Sequence, residues 1–139
     1  IQLHQATRAS LWGADVNAVW VPRWAVKWSM HTALSLVHSR DAKGEELLWT
    51  PPATGRWELR RSWAHVKEWS GLASLVLEAS RDAVLLHAST SWNLGRRTTL
   101  NAQVINVTNQ TYVPTLSLLR NLGIAEPGRN VRLQVVYAW

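Results

Sequence analysis

Apolar residues occupy every second position of the last ten residues. Val131, Leu133, Val135, Tyr137 and Trp139 fall on one side of the repeat, and Arg132 and Gln134 on the other. Strict alternation predicts a β-strand with one dry and one wet face. A dry face that ends in Tyr and Trp is what a membrane β-barrel shows to lipid and its interface. A half-buried strand of a soluble sandwich has the same period, so this segment alone leaves both readings open.

The longest alternating run covers 24–39. Trp24, Val26, Trp28, Met30, Thr32, Leu34 and Leu36 share one phase, and Ala25, Lys27, Ser29, His31, Ala33 and Ser35 the other. At about 3.3 Å per residue such a strand exceeds the usual soluble length and crosses a bilayer at a barrel's tilt. Trp12, Ala14, Val16, Ala18 and Trp20 form an upstream strand, and Val21-Pro22-Arg23 reads as the tight turn of a hairpin. Residues 40–55 carry Gly44, Gly55 and the Pro51-Pro52 pair and read as a long loop. A third strand starts with Trp57, Leu59 and Trp63, with Arg61 interrupting its apolar phase. A fourth is expected over 72–79, followed by a Ser80-Arg81-Asp82 turn. The fifth places Val84, Leu86, Ala88, Thr90 and Trp92 on one face, and Asn93-Leu94-Gly95-Arg96 turns the chain. The sixth sets Leu100, Ala102 and Val104 against Asn101 and Gln103, and a loop over 109–129 leads to the final strand.

The pattern predicts an all-β, antiparallel up-and-down meander of about seven long strands. Its turns alternate between tight and extended, as periplasmic turns and extracellular loops do in outer-membrane barrels. With the tight turns placed at 21–23, around Ser70-Gly71 and at Leu94-Gly95, Trp20, Trp24, Trp69, Trp92 and Trp139 gather near one boundary as an aromatic girdle.

Composition sharpens this picture. There are ten Trp, two Tyr and no Phe, so the aromatics are concentrated in the residue that most favours a membrane–water interface. No apolar run reaches the roughly 18 residues of a transmembrane helix. The opening Ile1-Gln2-Leu3-His4-Gln5 lacks the basic start and apolar core of a signal peptide, which is expected of a mature protein or a fragment. The absence of Cys removes disulfides and thiolate metal sites. A formal charge of +6 raises the question of nucleic acid, but the Arg residues are spread out and not interleaved with base-stacking aromatics. No nucleic-acid partner is expected.

Several segments in order resemble the TonB-dependent outer-membrane receptors. The run Ile105-Asn106-Val107-Thr108-Asn109-Gln110-Thr111-Tyr112 resembles the end of that family's penultimate strand. Glu126-Pro127-Gly128-Arg129-Asn130-Val131 is similar to its P-G-R entry into a last strand with a terminal aromatic, here Trp139. Leu11-Trp12-Gly13-Ala14-Asp15, Ser39-Arg40-Asp41-Ala42-Lys43-Gly44, Thr50-Pro51-Pro52 and Leu85-Leu86-His87-Ala88 resemble earlier family segments. The resemblance covers nearly the whole chain and implies residues 1–139 as a single C-terminal barrel segment. It further implies energised uptake of a ferric siderophore, haem, a metal ion or cobalamin at the bacterial outer membrane. The TonB system would act through a plug outside this sequence, and the barrel-assembly machinery would read Val131, Leu133, Val135, Tyr137 and Trp139 as the assembly signal. Ligand contacts in that family come from the plug and the extracellular loops, so only 38–55 and 109–129 would contribute here, and no individual ligand residue is assigned.

Strand parity points the same way. A bacterial single-chain barrel has an even strand number, and an open edge in lipid leaves backbone groups unpaired at several kcal/mol each. About seven strands therefore imply a larger barrel, such as the receptors' with about 22 strands, a further strand, or a barrel shared by several chains.

Enzyme chemistry finds little support, and no enzyme activity or cofactor is expected. His4, His31, His38, His65 and His87 are scattered without metal-ligand spacing. His87 and Ser89 share a strand face as a nucleophile and base would, but two polar residues in that phase are more often wet wall. The sequons at Asn106 and Asn109 carry no meaning in a bacterial barrel. Arg8, Asp15, Asn17, Lys27, Glu58, Arg60, Glu78, Gln103, Arg132 and Gln134 are expected on the lumen side. Two rivals remain: a self-contained small outer-membrane barrel and a soluble β-sandwich binding module. Arg61 in the apolar phase is the sequence feature that favours them.

Overall fold

The computed structural model describes residues 9–47, 50–51, 53–65, 69–114 and 122–139. Alternation is realised as seven strands: β1 (Ala9–Trp20), β2 (Trp28–Asp41), β3 (Thr54–His65), β4 (Trp69–Ser80), β5 (Val84–Leu94), β6 (Thr98–Ile105) and β7 (Asn130–Tyr137). They form one antiparallel sheet in sequence order. Each strand pairs with the next, so β1 and β7 are left as two edges of the sheet.

Register keeps the two faces separate across the whole sheet. One row of paired positions runs Trp20, Met30, Leu59, Leu75, Ala88, Val104 and Val131, crossing all seven strands in the apolar phase. On the other face, Ser29, Arg60, Ser74, Ser89, Gln103 and Arg132 form a polar row. A slip of one residue at any ladder would mix the two, since the side-chain period is two. The alternation itself therefore fixes the register.

The sheet has almost no interior. Val76 is the single buried hydrophobic residue among those described, while Val16, Leu36, Leu75 and Leu133 are 56%, 53%, 46% and 74% exposed. A soluble sandwich covers its apolar face with a second layer, and no second sheet or α-helix occurs among the described residues. The described residues thus leave the apolar face uncovered.

Four connections differ from the sequence expectation, one of them the expected 40–55 loop, whose ends Arg40, Asp41, Thr54 and Gly55 belong to β2 and β3. The β1–β2 link runs over 21–27 as two successive turns, with Ala25 N–H donating to the Pro22 carbonyl at 3.0 Å and Trp28 N–H to the Ala25 carbonyl at 2.8 Å. Trp24, Val26 and Lys27 therefore leave the expected strand, and Lys27 does not belong to the lumen wall. Ser70 and Gly71 lie inside β4 rather than in a turn, and the β3–β4 connection falls outside the described residues. Gly71 is required there because the Trp63 indole lies across it, where an added Cβ would collide with the ring. Finally, β6 stops at Ile105 because Asn106 adopts a left-handed φ of 54°.

Candidate functional site

Among the described residues, the linked charged side chains lie on the polar face of β3, β4 and β5. Phase puts Arg56, Glu58 and Arg60 on the same side of β3, Glu78 on β4 and His87 on β5. The Arg60 guanidinium makes a two-pronged contact with Glu58, from Nε to Oε1 at 2.7 Å and from Nη2 to Oε2 at 3.0 Å. Such forked pairs are among the stronger hydrogen bonds in proteins. Arg56 Nη2 approaches the same carboxylate at 3.6 Å, and its Nη1 donates to Glu78, its register partner. The Glu58 side chain is 12% exposed, against 40% for Glu78. Two guanidinium groups and two carboxylates balance, so this wall favours neither sign of solute.

His87 joins the network to the loop after β6. Its Nδ1 accepts the Asn106 N–H at 3.2 Å, which leaves Nε2 as the protonated nitrogen of a neutral ring. Nε2 lies 3.6 Å from Glu78 Oε2. Asn106 is 2% exposed. Its side chain donates to the Gln110 carbonyl at 2.7 Å and accepts the Gln110 N–H at 3.0 Å, closing a tight loop entry. Beyond it, Asn109 Oδ1 accepts the Arg129 N–H at 2.8 Å, and the Tyr112 carbonyl accepts the Glu126 N–H at 2.9 Å. These bonds tie the start of the β6–β7 loop to its end. Burial pushes the Tyr112 phenol above the ordinary tyrosine range, and the carboxylates of Glu126, Glu78 and Asp82 push the same way.

Two of the concavities along this wall adjoin the charged network. A hollow of about 300 Å³ is lined by Arg56, Glu58, Ser74, Glu78, His87, Ser89 and Gln103. A larger one of about 480 Å³ continues to the loop end, between Arg56, Glu78, Pro51, Asp82, Tyr112 and Pro114. The first is polar; the second has Tyr112 and two prolines at its rim.

Sequence reasoning placed Asp15, Asn17, Glu58, Arg60, Glu78, Gln103, Arg132 and Gln134 on this face, and the register brings Gln103 opposite Arg132 and Glu58 opposite His31. Arg8 and the side chain of His65 lie outside the described residues. Arg56 was missed because the third strand was started at Trp57, although it shares the phase of Glu58 and Arg60. His87 and Ser89 do not form a pair: Ser89 shares a 2.8 Å hydrogen bond with Ser74, and His87 turns to Asn106 and Glu78. No cluster of three His, Asp or Glu suited to a metal occurs among the described residues. Val131, Leu133, Val135 and Tyr137 share the outer phase of edge strand β7, and Trp139 lies beyond its end, fully exposed.

Arg61 is explained by its partner. It pairs in register with Trp28, and its guanidinium carbon sits 5.2 Å from the centre of the Trp28 ring. The charge lies within β3, level with the first residue of β2, and is held there by a cation–π contact.

No protein-family model matches this chain, and no curated protein matches its sequence. Among solved structures it is similar to the copper transporter OprC, with a TM-score of 0.72 at 17% identity. The likeness shows a shared fold. It covers 96% of this chain and 24% of OprC, so the chain spans about a quarter of that transporter's length.

Proposed function

We propose that this chain is a wall segment of a larger outer-membrane β-barrel that takes up a scarce nutrient, with no catalytic role of its own. One observation carries the reading: a continuous apolar face crosses all seven strands in register, uncovered, while the opposite face is charged and hydrogen-bonded. Lipid outside and water inside is the environment that stabilises both faces at once. The two edges support the larger barrel, because unpaired backbone in lipid costs several kcal/mol per group. In this reading the short turns face the periplasm and the long loops face outward.

The resemblance to TonB-dependent receptors supports energised uptake, with the plug and TonB contact in the rest of the polypeptide and the alternating β7 face read by the assembly machinery. OprC transports copper, but the residues here do not narrow the cargo to it. Cu(I) favours thiolate and thioether donors, the chain has no Cys, and its one Met, Met30, faces the apolar side. The cargo class stays a ferric siderophore, haem, a metal ion or cobalamin.

The test is to recover the native polypeptide that carries this sequence from a membrane fraction and measure its intact mass and heat-modifiable mobility. The expected result is a mass several times 15.7 kDa, with nutrient uptake that stops when the proton-motive force is dissipated. A soluble polypeptide near 15.7 kDa would overturn the proposal, and an inserted one of that mass would support a small or multi-chain barrel instead.

A further inference from the structure

Among the described residues, the short-turn end of the sheet carries charge of one sign. Arg23 and Lys27 lie in the β1–β2 turn, Arg96 and Arg97 in the β5–β6 turn, and Arg61 on the apolar face nearby. All five are exposed, and no carboxylate pairs with them among the described residues. The opposite end is mixed, with Asp41, Glu45, Glu46, Asp82 and Glu126 near Arg40, Lys43, Arg81 and Arg129.

Arg61 differs from every other charge of the outer face. Its side chain stands among lipid-phase residues, stacked on Trp28, while its neighbour Arg60 has both prongs on Glu58. Its register partner on the far side is Ala73, whose methyl group offers the guanidinium no acceptor. Lys27 is held within the same corner, since its carbonyl accepts the Ser62 N–H at 2.8 Å. An arginine fork presents paired N–H donors suited to phosphate, and the indole beneath it fixes the plane without occupying those donors. The tryptophans at this end set the corner at headgroup depth.

The geometry points to a binding site for the phosphate of an anionic glycerophospholipid, held by Arg61 over Trp28 and assisted by Lys27 and Arg23, in the leaflet at the short-turn side. This inference rests on the membrane reading above. The acyl chains would lie along the apolar face beside Ala73 and Leu75, and the headgroup would meet the basic turn. Each basic residue near such a surface adds roughly a fivefold preference for anionic lipid. Zwitterionic lipid would lack that gain.

The test uses the full-length protein reconstituted in vesicles of phosphatidylethanolamine with phosphatidylglycerol, and native mass spectrometry to count the lipids retained. Heat-modifiable mobility is read first on each sample to establish insertion. The expected result is preferential retention of phosphatidylglycerol, reduced roughly fivefold by Arg61→Gln and further by Arg61→Gln with Lys27→Gln. Arg61→Lys should keep part of the preference, because the charge remains without the planar fork. Arg129→Gln, which removes the same charge at the other end, should leave retention unchanged. Equal retention of the two lipids by an inserted protein would overturn the lipid site alone, as would equal losses from Arg61→Gln and Arg129→Gln. Failure to insert would overturn the membrane reading and the site with it.

Discussion

Arg60 and Arg61 are neighbours on β3 and point to opposite faces, and everything around them differs. Arg60 meets a carboxylate that is 12% exposed, in a ladder that continues through Arg56 and Glu78 to His87. Arg61 meets the indole ring of Trp28, the first residue of β2, among apolar neighbours. The first arrangement is how a protein stabilises charge where water and counter-charges are at hand. In the barrel proposed above, the second stabilises it at the border of a medium that has neither. On that proposal the same side chain, one residue apart, meets two different solvents on the two sides of one sheet.

That comparison breaks most severely if charge is placed mid-face. Leu75→Arg, in the middle of the apolar row, is expected to destabilise the inserted state by about 2–4 kcal/mol, whereas Gln103→Arg on the other face should change it by less than about 0.5 kcal/mol. Denaturant unfolding from lipid vesicles measures both. Similar costs at the two positions would mean that the faces share one solvent.

Within the polar face, exposure should set the size of each loss. Glu58→Ala strands Arg60 and leaves Arg56 with Glu78 alone, and should cost about 2–3 kcal/mol. Glu78→Ala removes a half-exposed, water-screened partner, and its cost should stay under about 1 kcal/mol. The same unfolding experiment decides the order, and a larger cost for Glu78 would contradict the ladder described here. Asn106→Ala should cost about 1–2 kcal/mol and act locally. Its measurable effect is faster hydrogen exchange over 107–114 with little change in β4, since the loop entry loses its hydrogen bonds to Gln110.

The smallest expected effect is alkaline. The folded loop holds Tyr112 neutral, with a pKa above its unfolded value. That contribution is intact below the ordinary tyrosine range and is lost as pH rises through the raised value. Exchange in the β6–β7 loop should therefore accelerate in strong alkali, and Tyr112→Phe should remove the step. An alkaline step that persists in Tyr112→Phe would assign it to another group.

The meander and its two faces were legible in the sequence because alternation is local: Trp12 to Trp20, Val84 to Trp92 and Val131 to Tyr137 carry their phase without help from any other strand. Three features were not. Trp24 and Val26 continue the phase of β2, yet the two turns after Pro22 take them out of the sheet, and periodicity does not register a turn that preserves phase. Gly71 reads as a turn residue by type; its place inside β4 depends on Trp63 from the neighbouring strand. Arg61 looks like a fault until the register sets Trp28 beside it. The charged wall was only partly visible for the same reason. Glu58, Arg60 and Glu78 could be assigned to a face, but Arg56 with Glu78 and His87 with Asn106 join residues far apart in the chain, and only strand pairing brings them together.

The most direct test of two solvents on one sheet is a spin-label scan along β4 of the full-length protein in vesicles. The segment contains no Cys, so each introduced label is unique within it. Labels at Ala73, Leu75 and Leu77 should collide readily with dissolved oxygen and weakly with a water-soluble nickel chelate, and labels at Ser74 and Glu78 should reverse that preference. A period of two in these accessibilities is the result expected of a barrel wall. Equal access of the nickel chelate to both sets would contradict it and leave the apolar face without lipid.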